Sequence, residues 1–198
     1  MFFKKPKFSL DKGFLAKNEY KDVLLAFDKL KQSRIRVDKD EVTLFYPRCS
    51  NDIIKPLLLL DALTDFKKAR IILADQILIS ESIAEAFLAS TNSRKFRQFK
   101  DFQRFSFRDK TIDIFYLEGD ILLNKDLPEF DIYFERAFQL FRKDSVDFIP
   151  NIIKKANKGA LLITDFLDFN HKSLKKVKFP EELKSIGFYK FFGIVRKV

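Results

Sequence analysis

A carboxylate about 20 residues beyond a polar turn can hold the two hydroxyls of a ribose when both lie at the ends of neighbouring strands. This chain has such a pair. The turn is Pro47-Arg48-Cys49-Ser50-Asn51-Asp52, directly after Val42-Thr43-Leu44-Phe45-Tyr46, and the carboxylate is Asp75, directly after Arg70-Ile71-Ile72-Leu73-Ala74. Between them runs an apolar stretch of helix length from Ile53 to Leu63. Strand, turn, helix and second strand make a βαβ unit, whose first turn faces any bound nucleoside. The turn has no glycine. A nucleotide-binding turn normally uses glycine to let the backbone approach its ligand, and this one has side chains throughout.

The elements that must hold these residues follow from periodicity. Asn18 to Gln32 carries Tyr20, Val23, Leu24, Phe27 and Leu30 at spacings of three and four, an amphipathic helix. Residues 1–13 read as a basic arm. Glu41 to Tyr46 is the first core strand, and Asn51 or Asp52 can cap the next helix, with Pro56 tolerable in its first turn. Ser80 to Ala89 reads as a helix capped by Ser80, with Ile83, Ala84, Phe87 and Leu88 as its buried stripe. Strands are expected at Thr111–Leu117, Phe130–Glu135 and Ala160–Thr164. A helix from Ser145 to Asn157 is expected to stop at Lys158-Gly159. Glu181 to Ile186 reads as a short helix, and Phe188 to Val195 as closing strands. Strands alternating with helices give an α/β fold with a largely parallel twisted sheet covered on both faces.

The bulk numbers set limits. At 198 residues the chain suits one domain, 1–198, with residues 1–40 as basic arm and cap helix and 41–198 as core. Hydrophobic residues make up 46% and charged residues 33%, a globular composition rather than a disordered one. No run approaches the roughly 20 apolar residues of a membrane helix, and the start does not read as a secretion signal. A single cysteine excludes an internal disulfide and fits a reducing compartment, so cytoplasm is the expected location. One Cys and one His argue against a structural zinc site, and no metal is expected. The net charge of +10 and pI near 9.5 attract phosphate backbones and other anionic partners. A lysine-rich surface that merely accompanies the 25 phenylalanines is the competing account.

With that order of elements, the chain resembles the class I S-adenosylmethionine-dependent methyltransferases over about residues 40–198. The resemblance rests on Leu44-Phe45-Tyr46-Pro47-Arg48-Cys49-Ser50-Asn51-Asp52, Asp75, Glu118-Gly119-Asp120 and Lys158-Gly159-Ala160-Leu161-Leu162-Ile163-Thr164-Asp165, with Gly187-Phe188 near the end. It implies a three-layer Rossmann-like fold with a reversed last strand and an N-terminal helical extension. It also implies S-adenosylmethionine as cofactor, bound by Tyr46, Pro47, Arg48, Cys49, Asn51, Asp52, Asp75, Gln76, Gly119, Asp120 and Glu135. Asp75 would take the ribose hydroxyls through charge-assisted hydrogen bonds, and Asp120 the adenine amino group. The implied activity is methyl transfer to an RNA or another anionic acceptor. No catalytic base can be named, because such transfer is mainly a matter of alignment. Arg48 and Ser50 depart from the family's glycines, and Arg48 would set a cation beside the sulfonium unless an acid neutralises it. A catalytically inactive descendant serving as a binding or scaffolding module is therefore the alternative.

Several residues have plainer readings. Asp120 can simply cap a turn, Glu135-Arg136 can be a surface ion pair, and Cys49 and His171 are expected to be inert. The remaining chemistry lies in residues 94–110. There Arg94, Lys95, Arg97, Lys100 and Arg104 alternate with Phe96, Phe99, Phe102 and Phe105. Cations interleaved with aromatics suit single-stranded nucleic acid. Phenylalanine at every third position is nonetheless expected to form a stripe buried on a helix or strand, with the cations left outside as a surface patch.

Overall fold

The computed structural model describes residues 10–18, 20–91, 93, 95–107, 110–123, 126–138, 145, 147–165, 169–186 and 192–198. Short helices α1 (Lys12–Lys17) and α2 (Lys21–Gln32) precede the first βαβ unit. That unit is β1 (Glu41–Pro47), α3 (Ile54–Leu63) and β2 (Lys68–Asp75). Then come α4 (Ser80–Ser90), β3 (Lys95–Gln98), β4 (Phe102–Phe107), β5 (Lys110–Glu118) and β6 (Phe130–Glu135). The chain closes with α5 (Phe148–Lys155), β7 (Ala156–Thr164), β8 (Leu174–Lys176), a 3-10 helix (Glu181–Ile186) and β9 (Gly193–Lys197).

These strands form one sheet in the order β3-β4-β5-β2-β1-β6-β7-β9-β8. The five central strands, β5-β2-β1-β6-β7, are parallel. The last strand, β9, runs antiparallel between β7 and β8, the reversal that the resemblance implies. The order turns back between β1 and β6, so the loops after those strands border the crevice where open α/β sheets bind ligands.

Alternation sorts the side chains onto two faces. Leu44, Tyr46, Ile71, Leu73, Ile112, Ile114, Ile132 and Phe134 meet buried residues of α1 to α4 on one face. On the other, Phe45, Tyr133, Leu162 and Val195 pack with Phe148, Ile152 and Ile153 of α5. Asp131 fastens the far end of the central strands. It accepts from Lys39 Nζ at 2.5 Å, Thr43 N–H at 2.9 Å and Asn157 Nδ2 at 3.0 Å.

The structure corrects several boundaries. The arm ends by Leu10, which bridges to Thr91, because α1 starts at Lys12; residues 1–9 lie outside the described residues. Ser80 is the first residue of α4 and not its cap. The preceding Ile79 N–H donates instead to Asn51 Oδ1 at 2.8 Å, and Leu88 is 38% exposed. The helix expected to reach Asn157 ends at Lys155, since β7 begins at Ala156. Gly159 does not stop a helix. It takes φ +83° inside β7, between the pairs Phe130–Ala156 and Ile132–Leu161, where β7 bulges against β6. The sequence also missed β8, and it left the β3–β4 hairpin unassigned. Gly187 and Phe188 lie outside the described residues.

Candidate functional site: the turn after β1 and the Asp75 carboxylate

β1 brings its last apolar residue, Tyr46, to the crevice and hands the chain to the polar turn. Arg48, Ser50 and Asn51 take φ values of 54°, 47° and 63°. This is the left-handed region, which costs most side chains roughly 1 kcal/mol or more but suits glycine and asparagine. The turn has therefore kept a glycine conformation without the glycines. Its backbone is pinned by Arg48 N–H donating to Ala74 C=O and Asp52 N–H donating to Cys49 C=O at 2.8 Å.

What holds the strained turn is Asp75. Its Oδ1 accepts from Arg48 Nη1 at 3.2 Å and from Gln76 N–H at 2.7 Å, and its Oδ2 accepts from Ser50 N–H at 2.8 Å. The pair is sheltered, with the Asp75 side chain 11% exposed and that of Arg48 23% exposed. A carboxylate offers about four acceptor positions. Three are used by this chain itself, so the acid expected to grip two ribose hydroxyls is already satisfied. In this conformation the residues present do not fit S-adenosylmethionine.

The other expected site residues also have internal duties. Asp52 Oδ1 accepts from the N–H groups of Ile54 and Lys55, capping α3, while its Oδ2 pairs with Lys55 Nζ at 2.5 Å. Tyr46 packs on Phe134 at 4.8 Å, and burial holds its phenol well above the ordinary tyrosine range. Pro47 is buried, and Gln76 is exposed. Cys49 is buried, and that burial pushes its thiol up to about 12. Gly119, at φ +121°, donates its N–H to Asp75 C=O at 3.0 Å. Asp120 is exposed and its Oδ1 accepts from Leu122 N–H, so it shapes its own turn.

Glu135 is fully buried, accepting from Tyr133 Oη at 2.6 Å and Thr164 Oγ1 at 2.7 Å. It braces β6 against β7 instead of forming a surface pair with Arg136. The exposed Arg136 stands close enough to lower the Tyr46 phenol electrostatically. His171 is exposed beside Ser173. A cleft of about 300 Å³ opens beside this end of the sheet, but Leu78, Ser80, Gln98, Phe102, Tyr116 and Glu118 line it rather than the turn or Asp75.

The basic aromatic segment forms the β3–β4 hairpin. Arg97 and Lys100 are exposed, and Arg104 donates Nε and Nη2 to the Asp113 carboxylate at 2.6 and 2.7 Å. Arg94 and the Lys95 side chain lie outside what is described. Of the rings, Phe105 is fully buried, stacked on Phe87 at 3.8 Å, while Phe96 and Phe99 are 40% and 38% exposed. The expectation that the whole stripe is buried therefore holds for only part of it.

The seven strands β5-β2-β1-β6-β7-β9-β8, parallel at the centre with a reversed last strand, have the Rossmann-like order that the resemblance implies. No protein-family model matches the chain, and no curated protein does. Solved structures that do match include a Listeria monocytogenes protein described as a class I S-adenosylmethionine-dependent methyltransferase. It is 16% identical, with a TM-score of 0.42, over 89% of this chain and 58% of that one. Another is precorrin-6y C5,15-methyltransferase from Geobacter metallireducens. It is 13% identical, with a TM-score of 0.43, over 96% of this chain and 94% of that one. The likeness is one of chain path, and the ligands of those proteins are properties of those chains. This chain spans little more than half the length of the Listeria protein. Among the described residues, no helix is long and apolar enough to cross a membrane.

Proposed function

We infer that this chain is a methyltransferase-fold protein that works as a binding module, with its nucleoside crevice closed by its own Arg48. One observation carries the reading: the Asp75 carboxylate is engaged by Arg48 and by the backbone N–H groups of Ser50 and Gln76. A ribose would have to break a sheltered ion pair and then accommodate the Arg48 side chain where a glycine would leave room. Asp120 supports the same reading, because it serves its own turn.

A second reading, methyl transfer to an RNA or other anionic acceptor, is favoured by the left-handed backbone at residues 48, 50 and 51. That backbone suits the turn of a working cofactor site. Titration calorimetry with S-adenosylmethionine and S-adenosylhomocysteine separates the two. The closed module gives no binding at millimolar ligand in the wild type, and gains binding when Arg48→Gly and Ser50→Gly are combined. Micromolar binding by the wild type, lost in Asp75→Ala, would overturn closure and establish the transferase reading.

A further inference from the structure

The register of the outer strands lines up side chains that are far apart in sequence. On the face away from α4, the pairing places Ile72 beside Phe115 and Phe115 beside Phe102, with Phe99 closing the hairpin opposite Phe102. One step along the strands, Arg70, Asp113, Arg104 and Arg97 form the next row. A row of apolar and aromatic side chains thus runs beside a row of three arginines and one aspartate.

This face is open. Phe102, Phe115, Leu117 and Ile72 are only half-buried, and Arg70, Arg97 and Phe99 are exposed. The reason lies in the connection between β5 and β6. Residues 119–129 are all that joins them, and their buried residues Ile121 and Leu127 pack with Phe45, Phe130 and Tyr133 over the middle of the sheet. On this face α5 packs over the middle strands as well, with Ile72 and Leu117 at the edge of that cluster, so β3, β4 and the part of β5 beside them have no helix upon them among the described residues.

The rings form a pile that ends at the solvent. Phe102 stacks on Phe115 with centroids 5.0 Å apart, and Phe99 stacks on Phe102 at 4.5 Å with planes 11° apart. The Arg104 guanidinium lies 5.2 Å from the Phe102 centroid and 5.5 Å from that of Phe99, and its tie to Asp113 holds it there. Phe99 is the last ring of the pile and is 38% exposed. Arg97 and Lys100 flank it, both exposed.

We propose that this open face binds single-stranded nucleic acid, with a base continuing the ring pile at Phe99 and phosphates pairing with Arg70, Arg97 and Lys100. Unpaired bases offer the flat apolar faces that such a pile accepts, whereas bases inside a duplex are already stacked. The arginine row supplies the charge complementarity. The inference rests on the binding-module reading for its role in the protein. It uses none of the residues that close the crevice, so either can fail alone.

Fluorescence anisotropy with labelled oligouridylate and oligothymidylate of about eight nucleotides, beside a duplex of equal length, tests it. The single strands are expected to bind and the duplex not, with log affinity falling against log salt at a slope of about −2, as three phosphate contacts give. A preference for one strand over the other identifies RNA or DNA, and either supports the proposal. Phe99→Ala is expected to weaken binding about tenfold. Phe96→Ala, a ring of nearly equal exposure on the opposite face, is expected to leave it unchanged. Arg97→Glu should weaken binding and flatten the salt slope, each variant keeping its melting temperature to show that it is folded. No binding at low salt, equal binding of the duplex, or equal effects of Phe96→Ala and Phe99→Ala would overturn the proposal.

Discussion

Replacing Asp75 by alanine is expected to unfold the closed crevice as well as to remove a ligand contact, and the structure sets the scale. The carboxylate accepts three hydrogen bonds, each with charge on at least one partner. Bonds of that kind contribute about 1.5–3 kcal/mol apiece when sheltered. Ser50 and Gln76 are exposed, so water recovers much of what their N–H groups lose. The Arg48 charge, with its side chain only 23% exposed, recovers less. The sum is about 3 kcal/mol. For a chain of this length that lowers the melting temperature by roughly 6–12 °C. Arg48→Ala costs less, about 1–2 kcal/mol, because Asp75 keeps its two backbone donors. The double variant should lose less than the two single changes together, leaving a coupling of about 1–2 kcal/mol. Circular dichroism melts of the four proteins measure all of this. An Asp75→Ala protein that melts with the wild type would refute the reasoning, because the acid would then be holding nothing and would be free for a ribose.

Two further outcomes follow from the core. Cys49, buried and with its thiol pushed up to about 12, should resist iodoacetamide at pH 8 and still at pH 10, and react once the protein is unfolded in guanidinium. Alkylation of the native protein at the rate of a free thiol would show the turn to be open. Phe105→Ala should cost about 3–5 kcal/mol, since the ring is fully buried against Phe87 and its loss leaves a cavity between α4 and β4. A chemical denaturation midpoint equal to that of the wild type would contradict this packing.

The parallel core was legible because its strands announce themselves. Val42–Tyr46 and Arg70–Ala74 are runs too apolar and too rich in β-branched or aromatic residues for an exposed strand, and the helix between them has the right length. The hairpin was not legible for a geometric reason. Phe96 pairs with Phe105 and Phe99 faces Phe102 across the turn at Lys100-Asp101, so the three-residue spacing comes from reflection about a turn, not from a helix. Steps of three along a strand change face, which is why Phe96 and Phe99 point opposite ways.

At the site, Asp75 could be located from sequence because strand ends can be. Its partner could not. Nothing local to Arg48 says that a left-handed turn will aim its guanidinium back at an acid 27 residues away. The resemblance implied only that Arg48 beside a sulfonium would call for a neutralising acid, and Asp75 is the acid that Arg48 meets. Arg70 and Phe115 escaped notice for a related reason, since only strand register brings them beside the hairpin.

The two edges of the sheet carry a consequence for how copies of this protein meet. Any nine-stranded sheet has two rims of unpaired backbone, and a second molecule can add a strand there and start a fibre. Here the rims are β3, Lys95-Phe96-Arg97-Gln98, and β8, Leu174-Lys175-Lys176. Both are short, and two residues of each are cations. Joining rim to rim would set like charges about 5 Å apart on facing strands, a repulsion that grows as the backbones approach. The same positive charge that would draw a polyanion across the open face thus keeps the sheet from polymerising through its ends.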